Sequence, residues 1–183
     1  MTVLKTETRV IGIDDGGTQR KRRVVVGAIF RGALWLDGVV SSIVDVSTGS
    51  LGRALGDMVA TSRFYKELRF AILHGSMLRC ARSSILTDFN STTNMPTIAF
   101  LHRGQNKSFD CVAERKTDIV GFRFHTFSVY CVGLTIEDAG EVLRITSLRD
   151  GIPEPIRVAG LIASAVNAPK RLNWAQGQLR AGS

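Results

Sequence analysis

Three cysteines in 183 residues, with no CxxC pair among them, leave neither a disulfide framework nor a thiolate zinc pattern. Cys80, Cys111 and Cys131 are widely spaced, and a reducing cytosol is the simplest home for them. Cys131 lies inside the apolar run "FSVYCVGL", where it reads as a small core hydrophobe. No stretch approaches the roughly 20 consecutive apolar residues a spanning helix needs. The N-terminus has no signal-peptide core. A cytoplasmic protein without a membrane partner is the expectation. No internal repeat is visible, which argues against a solenoid. There is no GxSxG, so a serine-hydrolase elbow has nothing to stand on.

What is present is a globular composition, 44% apolar and 22% charged, in a chain long enough to bury one ordinary core. The charge is one-sided: 24 Lys and Arg against 16 Asp and Glu give +8, with an isoelectric point near 10.0. Such an excess favours an anionic partner, with nucleic acid first, and an acidic protein partner such as a ribonucleoprotein behind it. Arginines number 18 and lysines 6. Arg forks onto phosphate in a bidentate way that Lys cannot, although a coding bias produces the same ratio.

Residues 1–8 read as a loose lead, 9–167 as one domain, and 168–183 as a basic tail that Trp174 is able to dock. "RVIGID" at 9–14 is an apolar run of the kind that a centrally placed strand shows. Residues 23–30 and 33–46 continue as strands around an Arg31-Gly32 turn, giving an antiparallel meander. Helical spacing then covers 49–63, with Ser47 or Thr48 as cap. A strand at 68–73 ends in His74-Gly75, and a helix starting at Ser76 runs towards Asp88, ahead of a loop at 90–94. Strands at 96–101 and 124–134, a short helix at 109–120 and helices at 135–146 and 152–166 complete the pattern. The last helix begins with proline and carries Glu154 in its first turn. The class is α/β: a mixed sheet, meander plus parallel strands, with helices on both faces. That order makes the ends of strands one and four neighbours, and so Asp14 a neighbour of His74.

Residues 11–27, "IGIDDGGTQRKRRVVVG", put two acids and then four cations between two strands. Asp14 and Asp15 are candidate cation ligands with His74, either for Mg²⁺ or Mn²⁺ or for a softer ion such as Zn²⁺. Alternatively, and in preference, Asp14 is a relic paired with His74 and Asp15 initiates the turn. Arg20, Lys21, Arg22 and Arg23 are candidate phosphate contacts, against the plainer reading of a solvated hairpin tip. Arg79 and Arg82 extend the basic surface. Phe122, Phe124 and Phe127 interleave with Arg123 and His125 and are either base-stacking or core residues. His102 and His125 are available for recruitment to the site but lack ligand spacing, and the default for both is an ordinary surface or core histidine. Glu137, Asp138 and Glu141 either lend a carboxylate to the cleft or, as the preferred reading, form a wet helical face with Glu141 and Arg144 at pairing distance, and Glu154 pairs with Arg157.

"RVIGIDDG", "AILHGS", "VGLTIEDAGEVL" and above all "GIPEPIRVAGLIAS" resemble endonuclease V, and more closely a group of archaeal endonuclease-V-like proteins. The similarity spans residues 9–166. It implies a ribonuclease H-like fold and metal-dependent cleavage of DNA or RNA near deaminated bases. It also implies a site built from an aspartate ending strand one, a glutamate after strand three, an aspartate ending strand four and a histidine before a late helix. Asp14 matches the first of these. His74 stands at the strand-four aspartate, residues 49–63 hold no glutamate, and Val132 falls near the histidine. Since Mg²⁺ prefers several oxygen ligands, the expectation is a nucleic-acid-binding protein with a degenerate, inactive nuclease centre. The alternatives are an endonuclease rebuilt around Asp14, Asp15 and His74, and a protein-interaction subunit.

Overall fold

The structure, a computed structural model, describes residues 4–47, 49–80, 84–102, 118–148 and 151–168. The short helix expected at 109–120, the tail and Arg82 lie largely or wholly outside these residues, as does the side chain of Arg79.

Seven strands form one sheet in the order β3-β2-β1-β4-β5-β7-β6. The meander is β1 (Arg9–Asp14), β2 (Arg22–Arg31) and β3 (Trp35–Asp45). It continues through parallel pairing of β1 with β4 (Phe70–Leu73) and of β4 with β5 (Thr97–His102). An antiparallel hairpin, β6 (Val120–Phe124) and β7 (Phe127–Val132), closes the far edge through β5. The mixed α/β sheet is therefore as expected. The strand expected at 124–134 is β7, and a strand that was not expected, β6, precedes it and pairs with it in a hairpin turning at His125, with a left-handed φ of 51°. Phe122 and Phe124 pack as partly buried members of the core, while Phe127 is fully in it.

Alternation along each central strand divides its side chains between two layers. Ile11 and Ile13 of β1, Val25 and Ile29 of β2, and Ala71 and Leu73 of β4 face α1 (Leu51–Ala60) and α3 (Ser84–Thr93). The one-turn helix α2 (Met77–Cys80) leads into α3, which runs on through Thr93 and takes in most of the loop expected at 90–94. Thr92 and Thr93 turn their hydroxyls back onto the carbonyls of Asp88 and Phe89, so polar side chains that suit a loop are absorbed by the helix. On the other face, Val10, Ile72, Ile98, Phe100 and Val129 meet α4 (Ile136–Thr146) and the start of α5 (Glu154–Asn167). Val26, Ala28 and Phe30 meet Ala159 and Ala163 of α5.

Gly12 is where α5 touches the sheet. A Cβ there would overlap the backbone of Pro155 and Ile156, so the helix lies on bare strand backbone. Gly12→Ala is expected to force α5 outward at a cost of about 1–3 kcal/mol or more, the range for overpacking a core. A depressed denaturation midpoint with unchanged slope checks this.

At the opposite edge, Asp37 gathers Arg31 (2.8 Å) and Arg9 (2.6 Å). Their hydrogen bonds hold the Asp37 carboxyl below its ordinary value. The depressed folded-state value means that the stabilisation is fully present above the unfolded carboxyl pKa, about 3.9, and fades as pH falls through the folded one. The stability gap between the parent protein and Asp37→Asn should therefore be widest near neutrality and shrink in acid, as equilibrium unfolding across pH will show.

Candidate functional site

The parity that builds the core also builds the site. Val10, Gly12 and Asp14 share one face of β1; Phe70, Ile72 and then His74 share it along β4; Ile98, Phe100 and His102 share it along β5. The three parallel strands thus deliver Asp14, His74 and His102 to their C-terminal ends, the edge where open α/β sheets place ligands. His74 Nδ1 lies 2.7 Å from Asp14 Oδ2. The His102 ring stands edge-on to His74 at 5.6 Å between centroids, and Phe127 packs on His102 at 4.9 Å. Asp14 is only 5% exposed. Gly160 of α5 leaves room for its carboxylate, since a Cβ there would stand 3.3 Å from Asp14 Cγ.

Two adjoining hollows flank this pair. One, of about 230 Å³, is lined by Gly16, Gly17, Gly75, Ser76 and Ser164 together with Asp14 and His74. The other, of about 250 Å³, is more apolar, with Phe100, Phe127, Ile152, Ile156 and Leu161 in its wall. His102 and Gly160 line both. Arg157 borders the apolar hollow while bonded to Glu154 at 2.6 Å, and the Glu141–Arg144 pair lies on exposed helix surface. His102 was expected to be an ordinary histidine. Its signal in the sequence is parity: it ends "PTIAFLH" on the same face on which Asp14 and His74 end their strands.

Asp15 has the opposite parity and a different environment. Completely buried, it pairs with Arg23, itself 4% exposed, through Nη1 to Oδ2 at 2.5 Å. Its other oxygen, Oδ1, accepts from the backbone of Gly17 (3.1 Å) and Ser76 (2.8 Å). The Ser76 hydroxyl lies 2.7 Å from both Asp15 Oδ2 and the Thr18 carbonyl, and accepts from Arg23 Nη1 at 2.8 Å. Gly75, at φ 101°, fits between Asp14 and Asp15 because any Cβ would strike both carboxylates. Arg23 Nε also donates to the Arg20 carbonyl. Of the four-cation run, Arg20, Lys21 and Arg22 are exposed, whereas Arg23 is structural. Asn167 fixes the loop from α5, donating to the Asp15 and Val24 carbonyls and accepting from the Val24 amide.

A family model for endonuclease dU matches residues 6–167. The chain belongs to the endonuclease dU family. Archaeal relatives include UPF0215 proteins of Methanothermobacter thermautotrophicus, 29% identical with 89% of each chain covered, and of Methanopyrus kandleri, 31% identical over 89% of this chain and 93% of that one. A solved Archaeoglobus fulgidus protein of unknown function superposes with a TM-score of 0.73 at 21% identity, over 88% of this chain and 99% of its own. Endonuclease V of Ciona intestinalis, solved with a 24mer DNA containing an inosine followed by a ribo-adenosine, superposes at 0.54 and 12% identity, over 86% and 84%. The family is thus an archaeal endonuclease-V-like one, and the fold is endonuclease-V-like. Among the described residues no helix is long and apolar enough to cross a membrane.

The described side chains of this dU-family member are a poor fit for Mg²⁺, the ion that the endonuclease V resemblance implies. Asp14 Oδ1 accepts from the Gly16 amide at 2.6 Å and Oδ2 meets His74. Asp15, expected as a further ligand, has both oxygens committed to the Arg23 and Ser76 cluster. Among the described residues no three His, Cys, Asp or Glu are grouped to hold a metal. Mg²⁺ asks for near-octahedral oxygen coordination, and one engaged carboxylate beside imidazoles is a poor match.

Cutting the buried pair on one side strands a charge. Arg23→Ala is expected to destabilise the protein by about 3–5 kcal/mol, and Arg20→Ala by less than about 0.5 kcal/mol. Parallel urea titrations of the two variants will measure the contrast.

Proposed function

We propose that the protein binds nucleic acid across the Asp14–His74 cleft, favouring strands that carry a deaminated base such as uracil, and that carboxylate-held metal hydrolysis does not operate there. The observation that carries this reading is the 2.7 Å Asp14–His74 contact at the ends of β1 and β4, where the resemblance implies two carboxylates converging on a cation. The family description, endonuclease dU, supports the nucleic-acid class and a deoxyuridine preference. The inosine-containing DNA held by the Ciona endonuclease V supports a deaminated base on this scaffold.

The residues fit such a role. Arg20 and Lys21 sit exposed on the loop that begins with Gly16 and Gly17 of the cleft wall, and Arg22, also exposed, opens β2 opposite Asp45. Contacts to phosphate of this kind release counterions and give salt-sensitive, sequence-tolerant affinity. Inside, the imidazole of His102 and the apolar wall at Phe127 and Leu161 offer a surface on which an unpaired base stacks or lodges.

A second reading has one observation in its favour. A carboxylate bonded to Nδ1 orients an imidazole and leaves Nε2 as the working nitrogen, the arrangement of a general base. In that reading His74 takes a proton from an attacking water and Asp14 steadies the charged ring.

One experiment separates the two. Fluorescence anisotropy with a labelled single strand containing one deoxyuridine should show binding that weakens with salt. The triple variant Arg20→Ala/Lys21→Ala/Arg22→Ala should lower the log–log salt slope by about 2. Gel analysis of the same strand with Mg²⁺, Mn²⁺ or EDTA should show it intact. Absence of binding at low salt defeats the proposal, and cleavage lost in both Asp14→Asn and His74→Ala installs the nuclease reading in its place.

A further inference from the structure

A hollow of about 620 Å³ lies at the other end of the sheet from His74. It opens where β4 and β5 begin, between the lead at residues 4–8, a short 3₁₀ turn at Tyr65–Glu67 and the C-terminal end of α3. Leu4, Leu68, Phe70, Met95 and Pro96 provide apolar wall, with Tyr65 as the aromatic element. The charged side chains in its own wall are of one sign: Lys5, Lys66 and Arg69 line it, and among the described residues no carboxylate does, although Glu7 and Glu67 line an adjoining recess with the same three cations.

The neighbouring network sharpens the contrast. Arg9 spans Asp37 and Glu67, and Arg31 takes Asp37, so these two carboxylates are already engaged, leaving Glu7 as the further acid near the three cations. The three cations facing the hollow have no ion pair among the described residues, and all three are exposed. One acceptor that would oppose an anion, the Thr93 carbonyl at the helix end, is covered by the Tyr65 hydroxyl at 2.6 Å.

We propose that this hollow is a second binding site, for a small organic phosphate with a flat apolar body, namely a free nucleoside monophosphate. The volume falls within the ~300–1,000 Å³ common to small-molecule sites, and the pairing of apolar wall with a few convergent polar groups is their usual make-up. Charge-assisted hydrogen bonds from Lys66, Arg69 and Lys5 meet the phosphate. The base lies against the side chains of Tyr65, Met95 and Pro96. The site is remote from the Asp14–His74 cleft and stands whether or not that cleft cuts or binds a strand.

Isothermal titration of the full chain with 5′-UMP, uridine and inorganic phosphate tests it. Saturable UMP binding is expected, at least about tenfold tighter than either fragment, because both halves of the ligand contribute. Lys66→Ala/Arg69→Ala, two exposed changes whose folding is verified by thermal melting, should weaken UMP at least tenfold. His74→Ala should leave it unchanged. No saturable binding at millimolar UMP, affinity undiminished in the double variant, or loss in His74→Ala overturns the site. Phosphate binding as tightly as UMP overturns the ligand class. Displacement of UMP by an oligonucleotide without terminal phosphates assigns the hollow to a strand and overturns the free nucleotide.

Discussion

The seating of α5 on the backbone of β1 governs everything functional in this molecule. A strand that kept a side chain at position 12 would hold the helix away, and the whole α5 face would move with it. Because Gly12 lets Pro155 and Ile156 down onto the strand, Gly160 reaches Asp14 one helical turn further along, Ser164 reaches the Gly16 carbonyl at 3.0 Å, and Asn167 reaches the loop base. One close approach therefore fixes the roof of the cleft, the packing of its carboxylate and the course of the basic loop. Helix–sheet packing is usually argued as burial of apolar area; here it also sets register for polar groups.

Adjacent acids with unlike fates follow from the period of two. Asp14 ends the face of β1 that lies under α5, so its carboxylate meets His74 and partly open space. Asp15, one residue on, turns toward the opposite layer and is sealed by Arg23 and Ser76. Burial of that ion pair is a weak source of net stability, because desolvating two charges offsets most of their attraction. What it supplies is placement, with each oxygen and nitrogen assigned to a named partner. The loop between β1 and β2 is held from inside by this cluster while its outer residues carry the positive charge.

Much of this was legible in the sequence. Unbroken apolar runs marked the central strands, the proline at 153 and Glu154 marked the start of the last helix, and strand order made neighbours of residues 14 and 74. The site was less legible where two signals overlapped. A run of four cations reads as one basic patch, yet alternation within β2 turns Arg23 inward and leaves three outside. His102 carried no ligand spacing because its partners come from other strands. The β6–β7 hairpin was missed because its turn, Phe124-His125-Thr126, has no glycine, and the left-handed residue is a histidine packed over Gly151. Helix α3 overran its expected end because threonine hydroxyls found carbonyls one turn back.

The Arg23 guanidinium is bonded at once to a deeply placed carboxylate, to the serine that starts α2 and to the carbonyl of Arg20. The mouth of the cleft and one of its walls thus share this guanidinium as a fastening, beside the contacts of Ser164 and Asn167. Whatever loosens that guanidinium disturbs the cationic rim and the Gly75–Ser76 wall together, so the outer charge and the inner wall are coupled through one side chain.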